Sequence, residues 1–542
     1  MSSHTWWNEA VIYEVFVPSF QDSNGDGIGD LAGVTQRLDY LCDLGVGGIW
    51  LSPIYKTEFF DAGYDVIDHR EIDTRFGTMQ DFRELLRQAK SRGLRVILDF
   101  IPNHTSHCHR WFEESRSSRE NLKRDWYLWS SGSTDGGPPN NWINRYGRSA
   151  WTFDAATGQY YFATFAPEQP DLNWRNPHVR EAMWEILRFW LDEGIDGVRV
   201  DAMSHLLKDR LLRNNPVQIG YRDEQEPSNK LDPCFSQNQP ELLEVISELK
   251  NVLDEFEGRV FAGEVYQVPE QISAYQRAGA DVLLNVSLLQ SPFHAGQVMQ
   301  TLARCEAQTP LDHLPAYAAG SHDIPRLASR VPAELLRIAM LLQLAVRGVP
   351  TIYYGDEIGM PNAQVLPEHM VDPSGRDDAR YSRDLFRAPM LWDRSHCFGF
   401  SSSIPYLKAD HDSEVTSVAD QSDDSASHLT LVRRLLKLRN QERVLRCGRY
   451  IPLDVSADMA AFERSDGEEC LLVVLNFSER SQTFLPPRPV AERLLSTLDD
   501  VDTDQLRGSR SEVRSSDESE TMTTRPGAIL MRPYEGMVFR VA

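Results

Sequence analysis

The sequence predicts an α/β protein: a closed (β/α)8 TIM barrel with a subdomain inserted after the third strand and an antiparallel β domain at the C-terminus. Three observations carry this expectation. Short β-branched and aromatic runs alternate repeatedly with longer amphipathic stretches, the pattern of a parallel sheet wrapped in helices. Between residues 104 and 170 the alternation stops, and Trp, Gly, Pro, Asn and Ser dominate over a length far beyond an ordinary βα connection. From about Gly448 onward helical periodicity ends and short strands remain.

The elements follow in order. Residues 11–20 (VIYEVFVPSF) read as strand one, residues 31–45 as a helix, and residues 48–54 (GIWLSPI) as strand two. A helix over 81–93 leads to strand three at 95–103 (RVILDFIPN). After the insertion come helix 177–193, opened by Pro and closed by Gly194, and strand four at 198–202. Helix 240–256 precedes strand five at 260–265, with strand six at 282–286 and strand seven at 316–322. Helix 333–347, strand eight at 351–354 and a last helix at 429–440 complete the barrel. The expected organisation is thus barrel over 1–103 and 171–447, subdomain over 104–170, and a β-sandwich over 448–542, whose clearest strand is 471–474 with Leu485 beyond. The Ser/Asp/Glu/Arg-dense stretch 499–524 reads as a mobile loop.

Composition narrows the function. The 542 residues are 41% hydrophobic, enough for a large core and more than one domain. A formal charge of −24 argues against nucleic acid or an anionic membrane as partner. Seven cysteines without regular spacing suggest neither a disulfide framework nor a zinc site. The first residues lack a basic-then-apolar leader, and no long apolar run occurs, so a cytoplasmic monomer or homodimer is expected.

In barrels of this type the C-terminal strand ends build the site. Strand three ends in Asp99 and then Asn103-His104, strand four in Arg199-x-Asp201, strand five in Glu264, and strand seven in His322-Asp323. Arg199-x-Asp201 alone is best read as a structural ion pair, and each carboxylate alone as a cap or turn. Gathered at one end of one barrel, the set points to chemistry. No serine elbow, phosphate-cradling glycine loop or His/Cys metal cluster is present in the sequence. Paired carboxylates suit acetal cleavage, one as nucleophile or base and one as general acid. A second constellation, Asp22-x-Asn24-x-Asp26-Gly27-x-Gly29-Asp30, offers oxygen donors at alternate positions to a hard cation, although Gly33 stands where an EF-hand has its bidentate Glu. An ion-free Asp/Asn/Gly turn is the alternative.

DFIPNH (99–104), DGVRVDA (196–202), GEVY (263–266) and SHDIPR (321–326) resemble, in order and spacing, the four signature regions of the alpha-amylase superfamily of glycoside hydrolases. The resemblance implies that Asp201 is the nucleophile, Glu264 the general acid/base and Asp323 the carboxylate that holds sugar hydroxyls. It implies that Arg199 keeps Asp201 ionised and that His104 and His322 bind the sugar. By the same resemblance, Asp61 and Tyr64 in DAGYD (61–65) grip the non-reducing end, with Tyr64 stacking on the ring. SRDLFRAPMLW (382–392) resembles a family motif that supplies an arginine to Asp61: Arg387 is the first candidate and Arg383 the alternative. QPDLN (169–173) resembles the signature of the alpha-glucosidase and oligo-1,6-glucosidase group. Ala202, after the nucleophile, stands where that group places Ala or Thr for α-1,4 and Val for α-1,6 bonds.

The implied protein is a retaining, exo-acting alpha-glucosidase on short oligosaccharides, capable of transglycosylation. The alternatives are an oligo-1,6-glucosidase, a sucrose hydrolase, a sucrose- or trehalose-forming isomerase, or an inactive transporter-associated relative. The resemblance also implies a structural calcium or magnesium ion on Asp22, Asn24, Asp26, the Ile28 carbonyl and Asp30, and no organic cofactor. Departures are Ser321 before His-Asp, Ile324 after it, and Ile101-Pro102 within the first region.

Overall fold

A computed structural model describes residues 5–222, 225–265, 268–285, 288, 292–310, 312–375, 378–412, 415–498 and 527–542. Among them, eight parallel strands close into a barrel: β1 Ile12–Val15, β2 Gly48–Leu51, β3 Arg95–Phe100, β4 Gly197–Val200, β5 Val260–Glu264, β6 Val282–Asn285, β7 Ala316–Ala318 and β8 Val349–Tyr353. They pair in sequence order, and β8 returns to β1 through Ile12 opposite Thr351. The strands are shorter than the sequence suggests. Residues 17–20 turn into a short helix instead of extending β1, because Pro18 cannot donate to a ladder. The helix expected over 31–45 is two, Leu31–Gln36 and Leu38–Leu44, broken at Arg37. The stretch 499–524, Tyr266 and Val286 lie outside the described residues.

Strand periodicity explains the barrel's polarity. Side chains two apart share a face, so Ile12 and Glu14 point the same way, as do Ile97 and Asp99, and Ala262 and Glu264. At the N-terminal end the inward positions Ile12, Trp50, Ile97, Val260, Ala262, Val282, Ala316 and Val349 form a dry plug with Trp7. One layer higher stand Glu14, Asp99, Arg199 and Glu264. The Arg199 guanidinium lies 4.9 Å from the Trp50 ring centroid, so the charged layer rests on the apolar one. The outward strand residues pack against the helices in the main core.

Among these helices Pro177–Glu193 sets the pattern. Asn176 caps it by accepting from the His178 N–H, Pro177 supplies a preset φ, and Gly194 ends it at φ 104°. Its buried face of Val179, Met183, Ile186, Leu187, Trp190 and Leu191 contributes about 1.5–3 kcal/mol for each large side chain removed from water. The chain then enters β4 through Gly197. A Cβ there would lie 2.3 Å from the Val260 carbonyl, so only glycine allows β4 and β5 to approach.

The segment after β3 is a small structure of its own. It holds the helix Arg110–Ser117 and a three-stranded antiparallel sheet of Trp129–Ser130, Gln159–Phe162 and Trp151–Asp154. Trp142, Ala150, Trp151 and Phe162 form its core. Sequence periodicity missed the helix because it spans only eight residues. At the C-terminus, strands Arg449–Pro452, Met459–Ser465, Cys470–Asn476, Gly536–Val541 and Val490–Ser496 form one antiparallel sheet, faced by the pair Gln482–Phe484 and Ile529–Met531. Leu472 and Val474 pack toward the second sheet, whereas Leu471, Val473 and Leu475 join the main core. The alternation thus glues this domain to the barrel.

Candidate active site

The charged layer is organised around Arg199. Its Nη1 donates to Asp99 Oδ1 at 2.9 Å and to Asp201 Oδ1 at 2.7 Å, and its Nη2 pairs with Glu264 Oε2 at 2.8 Å. Three strands thereby deliver three carboxylates to one buried guanidinium. The register Asp99 opposite Arg199 makes the first contact unavoidable. Burial pushes Asp99 up to about 6 and Asp201 well above the usual carboxylate range, with Arg199 opposing in both cases. Arg199 is expected to keep Asp201 ionised; it opposes the rise, but burial outweighs it and the carboxyl stays above the ordinary range.

A second group lies beside it. Arg383 Nη2 donates to Asp61 Oδ1 at 2.6 Å and to Asp372 Oδ1 at 2.7 Å, while its Nη1 reaches Asp323 Oδ1 at 3.0 Å. Arg387 Nη2 donates to the same Asp323 oxygen at 2.9 Å, and its Nε donates to the His322 carbonyl. Its nearest approach to Asp61 is 3.7 Å. Arg383, the alternative, thus makes the close bond to Asp61, and Arg387, the first candidate, serves Asp323. The short 3-10 turn Asp384–Phe386 separates the two arginines and points both at the pocket, which linear spacing could not reveal. Burial works to raise Asp323 and Asp372. Around Asp323, Arg383, Arg387 and Arg199 outweigh it; around Asp372, Arg383 and Arg387 do, and both carboxylates stay low.

His322 and Tyr64 connect the two groups. The imidazole is stacked between Phe16 and Tyr64, with centroids 5.7 and 5.3 Å away. Its Nδ1 meets Glu14 Oε1 at 2.6 Å and its Nε2 meets the Tyr64 hydroxyl at 2.7 Å. Tyr64 in turn donates to Asp99 Oδ2 at 2.8 Å. Burial raises Glu14 and lowers His322, which keeps both neutral. The consistent proton order runs from the Glu14 carboxyl to Nδ1, from Nε2–H to the Tyr64 oxygen, and from Tyr64 O–H to Asp99.

The remaining expected residues are also placed. His104 is buried, with Nε2 3.1 Å from the Tyr64 carbonyl and 3.3 Å from Gln169 Nε2. Gln169 also reaches Asp61 Oδ2 at 3.4 Å, so the first residue of QPDLN braces the pocket wall. Asp171 accepts from the Thr164 N–H and hydroxyl, from Asn103 and from Lys208, tying the inserted segment to the ends of β3 and β4. Ala202 adopts a left-handed backbone, φ 46° and ψ 33°, and its N–H points at Glu264 Oε2 at 3.5 Å. Sequence reading missed Glu14, Asp372 and Gln169 as members of the site. Glu14 gave one signal: a lone acid on the inward face of an otherwise apolar strand.

In the loop after β1, Asp22 accepts from the N–H groups of Asn24, Gly25 and Gly27 and from the Ser401 hydroxyl. Asn24 and Asp26 each accept from the N–H two residues on. Asp30 binds Ser23 and caps the following helix at the Gly33 N–H. Gly25 and Gly27, at φ 81° and 91°, close the loop. The donors are all oxygen and alternate along the chain, which is the chemistry a calcium or magnesium ion takes.

Comparison with known proteins agrees with this geometry. The model of the alpha amylase catalytic domain matches residues 14–448. The chain is 35% identical over 494 residues to an alpha-glucosidase of Culex pipiens, covering 88% of this chain and 83% of that protein. It is 31% identical over 582 residues to an oligo-1,6-glucosidase of Parageobacillus thermoglucosidasius, covering 99% of both. Among solved structures it superposes on the alpha-glucosyl transfer enzyme XgtA with a TM-score of 0.89, at 32% identity and with both chains covered in full. With eight parallel strands bringing carboxylates to one end of a barrel, the chain belongs to the alpha-amylase family of glycoside hydrolases.

Proposed function

We propose that this glycoside hydrolase is a retaining, exo-acting alpha-glucosidase that removes terminal, α-1,4-linked glucose from short oligosaccharides or glucosides. The observation that carries the reading is the sharing of Arg199 by Asp201 and Glu264. Each carboxylate sits on one terminal nitrogen of a single guanidinium. That arrangement favours the separation of roughly 5 Å used in double displacement over the wider gap of about 6.5–9.5 Å that admits a water between acid and base.

In the proposed reaction Asp201 attacks the anomeric carbon while Glu264 gives its proton to the departing sugar oxygen. Arg199 supplies positive charge that balances the carboxylates of Asp99, Asp201 and Glu264. Glu264 then takes a proton from water, which releases the glucosyl group from Asp201, or from another sugar hydroxyl, which transfers it. Asp323, ionised between two arginines, accepts hydrogen bonds from sugar hydroxyls as positive charge develops on the ring. Asp61, with Arg383, Gln169, His104 and Tyr64 around it, closes the far wall and admits only a chain end. The small Ala202 beside the nucleophile supports the α-1,4 assignment. A calcium or magnesium ion on the Asp22–Asp30 loop would stabilise that loop when bound and takes no part in the reaction.

NMR of α-glucoside hydrolysis tests the mechanism: α-glucose is expected as first product, and β-glucose overturns retention. Comparison of maltose, isomaltose, sucrose, trehalose and starch tests the substrate. Preference for maltose supports the reading, and preference for isomaltose moves it to an oligo-1,6-glucosidase.

A further inference from the structure

Among the described residues, one group of His, Cys, Asp or Glu side chains gathers three ligand atoms within reach of a single ion: Glu58, His107 and Cys108. It lies outside the catalytic clusters and outside the Asp22–Asp30 loop. Glu58 follows the short strand Tyr55–Thr57 and stands three residues before Asp61. His107 and Cys108 stand three and four residues after His104. The group therefore joins the two chain segments that carry Asp61 and His104.

We propose that Glu58, His107 and Cys108 form a zinc site joining these two segments. The ligand set is one carboxylate, one imidazole and one thiol, which suits a borderline-soft ion better than calcium or magnesium. His107 Nε2 and Glu58 Oε2 are 3.3 Å apart. Two ligands of a tetrahedral zinc at about 2.0–2.2 Å from the metal stand roughly 3.4 Å apart, so this pair is already at coordinating separation. The three atoms all lie within 4.8 Å of one another, and only a small side-chain adjustment is needed to bring the sulfur in. Main-chain bonds hold the segment in place: the His107 N–H donates to the Glu168 carbonyl at 2.8 Å and the Cys108 N–H to Ser106 Oγ at 3.1 Å. Glu58 is exposed and His107 part-exposed, so the group is open to solvent. Other acidic charge helps as well, since Glu113 acts on the thiol from the neighbouring helix.

A thiol coordinates zinc as the thiolate, so binding takes its proton and releases it to solvent. The bound ion would cross-link the Asp61 loop to the His104 segment.

The test is titration of the chelator-stripped full chain with zinc chloride in two buffers of different ionisation enthalpy, repeated with cobalt(II) for its thiolate-to-metal absorption. One ion per chain, about one proton released, and a thiolate band are expected. All three should be lost in Cys108→Ser and weakened at least tenfold in His107→Ala and Glu58→Gln, with circular dichroism confirming the fold of each. Cys397→Ser is the control, because Cys397 Sγ lies 3.0 Å from His396 Nδ1 and is the competing His–Cys neighbour. Loss of binding in Cys397→Ser, unchanged binding in Cys108→Ser, or no stoichiometric binding by the unaltered chain overturns the proposal.

Discussion

Two buried acidic clusters share the top of this barrel. Asp99, Asp201 and Glu264 surround one guanidinium; Asp61, Asp323 and Asp372 surround two. Burial works in the same direction in both, yet Asp99 rises to about 6 and Asp201 rises as well, whereas Asp323 and Asp372 fall. The number of cations decides the sign. Beside one arginine, burial lifts Asp99 and Asp201; beside two, Asp323 and Asp372 stay low.

The comparison can be broken at its strongest point first. Asp201→Asn should leave the fold intact and lower turnover of an aryl α-glucoside by roughly four orders of magnitude or more; a loss under tenfold removes Asp201 from the reaction. Arg383→Ala should convert the second cluster into a copy of the first. With an uncompensated charge left buried, chemical denaturation should show a loss of about 3–5 kcal/mol, and a loss below about 1 kcal/mol would equate it with a surface pair.

The pH dependence sharpens the contrast. Unfolded Asp99 ionises near its ordinary value of 3.8, while the folded form holds its proton up to about 6. The group therefore makes the protein progressively less stable as pH rises between those values. In Asp99→Asn that decline should vanish, so the melting temperature of the variant should gain on the unaltered protein from pH 4 to 6 and run parallel above it. The low Asp323 has the opposite sign: its stabilisation is present above the ordinary carboxylate range and is lost as pH falls below it. Smaller effects are expected away from the clusters. Chelation should lower the melting temperature by a few degrees without a matching change in kcat, and no shift would argue against an ion on the Asp22–Asp30 loop. Ala202→Val forces a β-branched residue into a left-handed backbone and should cost about 1 kcal/mol. It should also lower the ratio of maltose to isomaltose turnover.

The barrel was legible because its strands are short apolar runs and its helices carry wide apolar faces. Helix Pro177–Glu193 was readable to the residue, since Asn176, Pro177 and Gly194 punctuate it. Strand lengths were overestimated because Pro18 and Pro102 follow apolar residues that look extended but lie outside the ladder. Helices Pro269–Ala278 and Ala295–Gln308 went unassigned, although their apolar periodicity matches that of helices that were read. At the site, the strand-end residues were readable from position alone. Pairing between distant loops was not: Arg383 and Arg387 are both plausible partners of Asp61 until the turn between them is known. Glu14 and Asp372 were hidden for the same reason, because a buried acid is recognised only by what folds against it.

The segment bearing the two arginines is held by the barrel itself. Tyr353 and Tyr354, at the end of β8, donate hydroxyl protons to the Phe386 and Ala388 carbonyls, and Ser19 donates to that of Arg387. Three hydroxyls thus nail down an otherwise irregular crossing that carries Arg383 and Arg387. The reach of both guanidiniums to Asp61 and Asp323 is therefore a matter of anchorage rather than of barrel architecture. Cutting those moorings, by Phe replacing both tyrosines, would loosen that reach while leaving the Arg199 cluster unchanged.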